Sequence, residues 1–250
     1  MSGTAGSWTP TPTRTSYQWF AGDAEIAGAT SATYTLTTAE TGKPITLRVT
    51  AGADGHTDAV AVSDPTAPVA KAAVASTLAP RITGTAKVGR TLTGTAGTWS
   101  PSAGSRAYQW LANGVPIAGA RATTLKVGPA LVGKRMSLRV TASATGYLDG
   151  VATSAATAPV VRAAFGLGRA PRLLGTPKVG RTLTVQPGVL SPAATTVTFA
   201  WYVDGKRVST APRLRLKRGW VGDRVTVKVV LARPGYTTLV RATKAVKVRR

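Results

Sequence analysis

A three-residue word recurs in this chain, and its spacing constrains the fold more than any other feature. Tyr17-Gln18-Trp19 reappears as Tyr108-Gln109-Trp110 and then as Phe199-Ala200-Trp201, so the tryptophans at 19, 110 and 201 are 91 residues apart at both steps. A fixed period means that one structural unit is built three times. Other landmarks keep the register. Gly6-Ser7-Trp8-Thr9-Pro10 matches Gly97-Thr98-Trp99-Ser100-Pro101, while the third copy keeps Gly188 and Ser191-Pro192 but places Leu190 where the others have tryptophan. Ile45-Thr46-Leu47-Arg48-Val49 becomes Met136-Ser137-Leu138-Arg139-Val140 and then Val225-Thr226-Val227-Lys228-Val229, the last arriving two residues early. The loss falls in Ser209-Thr210-Ala211-Pro212, where a loop tolerates shortening. Upstream, Pro80-Arg81-Ile82-Thr83-Gly84-Thr85 and Lys87-Val88-Gly89-Arg90-Thr91-Leu92-Thr93 have twins beginning at Pro171 and Lys178. The first copy has no counterpart. Met1 aligns with Leu92, so its opening strand and part of its second are missing, as expected of a truncated fragment or a misplaced start codon. The repeats are read as 1–79, 80–161 and 162–250.

Each copy shows period-2 runs of strand length separated by Gly, Pro and Ser, and none shows a helix-length apolar periodicity. In the second copy the runs predict strands near 80–85, 91–97, 106–112, 115–117, 123–127, 136–142 and 151–157. Seven strands make an immunoglobulin-like sandwich, so the expected fold class is all-β, with three such sandwiches in tandem. Alternation then assigns faces: Met136, Leu138 and Val140 point one way, and Ser137, Arg139 and Thr141 the other. Tyr108 shares parity with Trp110, and Phe199 with Trp201. The repeated tryptophan is therefore expected in each core, on the third strand.

The chain offers little for chemistry. It contains no cysteine and one histidine, which leaves out disulfides and thiolate or histidine metal sites, so no metal and no cofactor is expected. His56 occupies the register of Tyr147 and Tyr236, which reads as a turn residue after Gly55 rather than a catalytic base. Asp23 and Glu25 form a close acidic pair, but the later copies carry Asn113 and Val115 there. Lys87-Val88-Gly89-Arg90 and its twin at Lys178 could cradle an anion in a backbone nest, or simply turn between strands. Without a held base or nucleophile, no enzyme is expected. The amino terminus lacks the basic flank and apolar core of a secretory signal, and no stretch approaches the ~20 apolar residues of a membrane helix.

Lys-Val-Gly-Arg-Thr-Leu-Thr, Gly-Thr-Trp-Ser-Pro, Tyr-Gln-Trp, Ile117-Ala118-Gly119-Ala120, Gly133-Lys134, Leu138-Arg139-Val140-Thr141 and Gly146-Tyr147 together resemble the tandem immunoglobulin-like repeats of secreted and surface proteins from high-GC Gram-positive bacteria. The abundance of alanine, glycine and arginine agrees with a GC-rich genome. The resemblance implies an extracellular or cell-surface location and a spacer or attachment role. It specifies no ligand.

Charge is the feature that departs from a plain scaffold. Residues 1–79 carry 4 basic and 6 acidic side chains, 80–161 carry 9 and 1, and 162–250 carry 19 and 2. Alternation places Arg213, Arg215 and Lys217 on one outer face, and Lys228, Arg241, Lys247 and Arg249 outward on the opposite sheet. Trp220 sits where the other copies have Glu40 and Leu131. As an exposed ring beside Arg218 it would stack on a sugar or a base, and as a partly buried one it would only pack. Such a field attracts polyanions in a salt-sensitive way. The expected partner is an anionic cell-wall or surface polymer, with nucleic acid as a rival that would need a concentrated basic groove. The other readings are accessory domains of a secreted hydrolase and a phage virion decoration module. One chain per particle is expected unless another chain supplies the first repeat's missing strand.

Overall fold

The computed structural model describes all 250 residues. Backbone packing gathers Met1–Pro80, Ala96–Tyr108 and Arg139–Thr153 into one compact unit and Arg81–Thr95, Gln109–Leu138 and Ser154–Arg250 into another, so the second repeat contributes strands to both. In the first repeat, β1 (Arg14–Ala21), β2 (Ala24–Glu25), β3 (Ile45–Gly52) and β4 (Ala59–Val62) form a sheet in the order β2-β1-β3-β4. The second repeat contains β5 (Ala75–Leu78), β6 (Arg81–Thr83), β7 (Thr91–Thr95), β8 (Thr98–Ser100), β9 (Ser105–Ala112), β10 (Val115–Pro116), β11 (Thr124–Lys126), β12 (Met136–Ser143) and β13 (Gly150–Thr153). Its sheets run β10-β9-β12-β13, β11-β7-β6 and β5-β8. The third contains β14 (Gly166–Arg169), β15 (Arg172–Leu174), β16 (Thr182–Gln186), β17 (Val189–Ser191), β18 (Thr196–Val203), β19 (Lys206–Ser209), β20 (Arg213–Arg215), β21 (Arg224–Ala232), β22 (Leu239–Ala242) and β23 (Val246–Lys247). Here β19-β18-β21-β22, with β23 also on β21, lies opposite β15-β16-β20, and β14 pairs β17. The repeats are immunoglobulin-like β-sandwiches in tandem.

The tryptophans explain why the period is kept. Trp19, Trp110 and Trp201 are 3%, 0% and 0% exposed on β1, β9 and β18. Burying an indole requires a partner for its N–H, and each Nε1 donates to a loop carbonyl: Ser31 O at 2.9 Å, Ala122 O at 2.9 Å and Ala211 O at 2.7 Å. The first two bonds span 12 residues and the third 10. The two-residue deletion therefore shortens the loop without losing its anchor. In the third repeat, alternating Leu183 and Val185 on β16 and Leu214 on β20 meet Trp201, Val203, Val225, Val227, Val229 and Leu231 from the facing sheet in one buried cluster. Each fully buried Val or Leu contributes about 1.5–3 kcal/mol, so alternation is the main source of the module's stability.

One segment departs from the sequence reading: Ala75–Leu78, placed there in the first repeat, pairs with β8 of the second, just as Gly166–Arg169 pairs with β17 within the third. The first repeat shows what happens without such a strand. Ser7-Trp8-Thr9, the equivalent of β8, forms no strand, and Trp8 is half-buried where Trp99 is buried. Its second sheet is reduced to the bridge Ser2–Thr33, the counterpart of the Thr93–Thr124 pair between β7 and β11.

Candidate functional site: the cationic faces of the third repeat

Alternation along β20 buries Leu214, and Leu216 just beyond it, and leaves Arg213 and Arg215 exposed. Arg213 is opposite Thr184 and Arg215 opposite Thr182, while Arg172 is opposite Gln186, which accepts a hydrogen bond from its Nε. Residues paired in this way share a face, so three arginines stand among threonines and a glutamine on the outer side of β15-β16-β20. Lys217 and Arg218 follow, both exposed. Trp220 is partly buried against the third repeat's core, and the Lys217 ammonium lies 5.3 Å from the centre of its ring. The ring packs, and no free stacking platform forms there.

The opposite sheet differs from expectation at two residues. Lys228 is exposed and pairs with Ala200 and Ala242, which fixes the outer face. Arg241 is in register with the buried Val229, so it projects toward the other side of the sheet at its edge, and its Nη1 donates to Val240 O at 3.0 Å. Arg249 is not on this sheet at all. It bridges Lys178, with Val179 N donating to Arg249 O at 3.0 Å. Arg241 takes its face from its register on β21, which parity carried over from another strand does not fix, and Arg249 lies beyond β23, which returns the chain to β21 before Arg249 bridges Lys178. Lys247 does lie outward, opposite Arg224.

Sequence reasoning missed three contributors to this face: Arg224 beside Lys247, Arg207 opposite Tyr202, and Tyr202 itself, whose ring centre is 5.1 Å from Lys228 Nζ. The signal was present, because Tyr202 shares parity with Ala200 and Lys228. A shallow depression lined by Thr198, Ala200, Arg207, Thr210, Pro212 and Val230 opens on the same strands.

The electrostatic asymmetry is sharper than net charge conveys. The ion pairs are Arg14 with Asp54 at 3.8 Å, Arg14 with Asp58, and Arg48 with Glu25 at 2.8 Å, all in the first repeat. No lysine or arginine beyond Arg48 has a carboxylate within ion-pairing distance. The remaining motifs close on themselves. In Lys87–Arg90 the amides are used internally: Arg90 N donates to Lys87 O, Gly89 N to Val127 O and Val88 N to Val161 O, and Arg181, Gly180 and Val179 repeat the pattern. That leaves a turn with no nest open to an anion. His56 is exposed in its turn, with Nδ1 3.1 Å from Asp54 O. Glu25 is engaged by Arg48. No helix is long and apolar enough to cross a membrane.

No family model matches the chain, and no curated protein matches it either. Several solved structures of tandem immunoglobulin-like or adhesin domains do. A Ca2+-stabilised adhesin that helps an Antarctic bacterium reach out and bind ice is 13% identical, with a TM-score of 0.39, over 94% of this chain and 65% of that one. The chain thus spans under two thirds of the adhesin structure. The three N-terminal domains of the bacteriophage RB49 outer capsid protein Hoc are 12% identical over 98% of this chain and 91% of that one, with a TM-score of 0.29. The D1–D4 fragment of ICAM-5 is 15% identical over 94% and 67%, with a TM-score of 0.33. None of these points to the high-GC Gram-positive origin that the sequence words imply, and the sandwich assignment rests on the strand pairing itself.

Proposed function

We propose that the chain is a non-catalytic extracellular array of three repeats that spaces or attaches a surface or secreted protein and grips an anionic cell-envelope polymer through its third repeat. The observation that carries this reading is the absence of any carboxylate partner for the third repeat's cations, 19 basic against 2 acidic residues. An exposed cation without a partner keeps its full field, and releasing counterions from a polymer then favours binding. Arg172, Arg213 and Arg215 serve one face, and Arg207, Arg224, Lys228 and Lys247 the other, so a flexible polymer can wrap the module, whereas a duplex would need one groove.

The test is cosedimentation of the full chain with purified anionic wall polymer across a salt series, beside a variant carrying Arg213→Glu, Arg215→Glu and Lys217→Glu. These side chains are exposed and alternate with buried leucines, so the variant keeps its fold. Binding should weaken steeply with salt and drop by about tenfold or more in the variant. Retention of DNA equal to or stronger than that of wall polymer refutes the polymer assignment. No binding to either at low salt leaves the cations as a solubility device and the array as a spacer.

A further inference from the structure

Four positions on one sheet face are filled differently in the first and third repeats. In the first, Phe20 pairs with Glu25 across β1 and β2, and Gln18 with Arg48 across β1 and β3. The Arg48 guanidinium lies 4.9 Å from the centre of the Phe20 ring and donates to Glu25 at 2.8 Å, so this cation is both stacked and neutralised. The Gln18 amide reaches across the strip beside them to donate to Ile26 O at 2.8 Å, and Gln109 repeats the bond to Ile117 O at 2.9 Å. In the third repeat the equivalents are Tyr202, Arg207, Ala200 and Lys228, in the same register. The stack persists, with Lys228 Nζ 5.1 Å from the Tyr202 ring centre, but the carboxylate has become a guanidinium and the amide a methyl group.

Both changes take something away from the surface. Without the glutamine amide, and with the following loop two residues shorter, the strip opens into a depression of about 680 Å³ whose lining includes Thr198, Ala200, Arg207, Thr210, Pro212 and Val230. Small-molecule sites span about 300–1,000 Å³. Without a counterpart of Glu25, the chain sets Arg207 and Lys228 on this face and answers neither with a carboxylate. Asp204, the acid nearest to Arg207 in sequence, is held by the Arg224 amide, which donates to its Oδ1 at 2.8 Å. Like charges on one face repel, and an anion placed between them relieves the repulsion. The second repeat has neither feature, since Leu111, Pro116 and Gln109 stand at these positions.

We propose that this depression binds one acidic sugar unit, with its acid group between Arg207 and Lys228, as Glu25 meets Arg48 in the first repeat, and its ring over Ala200. The source of that unit rests on the polymer reading above, and the site names what the polymer must carry. The lining selects this chemistry. Ala200, Pro212 and Val230 offer aliphatic surface to the C–H face of a pyranose, while the hydroxyls of Thr198 and Thr210 can donate to or accept from its ring hydroxyls. A guanidinium matches the paired oxygens of a carboxylate or a phosphate. A nucleic-acid base would need an open aromatic face, and the Tyr202 ring already carries Lys228.

Amide chemical shifts of the full chain, titrated at about 0.15 M salt so that diffuse attraction is screened, test this. Trigalacturonate and glucose 1-phosphate are the acidic probes, and maltotriose is the neutral one. At least one acidic probe should shift the amides of 198–202 and 207–210 saturably, and bind about tenfold or more tightly than maltotriose. Which of the two does so identifies the acid group as carboxylate or phosphate. Ala200→Gln refills the strip with the residue of the other repeats at no change in charge, and Arg207→Glu rebuilds the first repeat's ion pair. Each should weaken binding by about tenfold or more, with unchanged thermal unfolding as the check on folding. The proposal is overturned if neither acidic probe shifts these amides, if inorganic phosphate shifts them as strongly as either sugar, or if either variant binds like the wild type. Cosedimentation separates this from the polymer reading. A chain that sediments with wall polymer but ignores both acidic sugars loses the site and keeps that reading, whereas sugar binding without cosedimentation does the reverse.

Discussion

Replacing Trp201 tests the packing argument where it is most exposed to failure, in the repeat that has lost both Tyr-Gln and two loop residues. The indole is fully buried in the third repeat's core, and its Nε1 holds the carbonyl of Ala211 at 2.7 Å. Trp201→Ala leaves a cavity, and substitutions of this size cost about 3–5 kcal/mol. Against a total of about 5–15 kcal/mol for a small domain, that removes a fifth or more of the module's stability. Trp201→Phe keeps most of the ring and removes only the donor. The Ala211 carbonyl then either reaches water or stays unpaired, for a cost of about 1–3 kcal/mol. Because the repeats need not unfold together, the measurement is hydrogen exchange resolved by segment, supported by urea titration, rather than one melting temperature. Protection should fall in β18, β21 and the 209–212 loop for both variants, further for alanine than for phenylalanine. An alanine variant losing less than about 1 kcal/mol, or a phenylalanine variant indistinguishable from wild type, would refute the claim that the period is kept by a buried, anchored indole.

Two further outcomes follow from the first repeat. With one bridge in place of a second sheet and no strand along Ser7-Trp8-Thr9, it should lose amide protection before the other two, and equal protection across the three repeats would contradict that. Glu40 gives it an acid dependence of its own. Burial raises the carboxyl's pKa, but hydrogen bonds from the Thr37 amide (2.6 Å) and hydroxyl (2.8 Å) and from Tyr34 outweigh that and hold it below the ordinary value. The folded state therefore binds this proton less readily than the unfolded one. The stabilisation is complete above the unfolded carboxyl value and is lost as pH falls through the folded one. Urea titration of the first repeat in acid should show this slope, and Glu40→Gln should flatten it.

Much of this was legible because alternation and period are written in side chains. Met136, Leu138 and Val140, or Leu214 and Leu216, are buried by the same rule that identifies them in the sequence, and the missing pair of loop residues reappears as a bond spanning 10 residues where its equivalents span 12. Segments whose structure comes from an edge rather than a face were not legible. All four residues of Ala75–Leu78 and of Gly166–Arg169 are exposed, so neither stretch alternates. They become strands because β8 and β17 offer unpaired amides, a long-range fact with no local signature. Arg241 and Arg249 were misplaced for a related reason: parity holds along one strand, whereas the face of Arg241 is set by its register opposite Val229 on the neighbouring strand and Arg249 lies beyond the last strand.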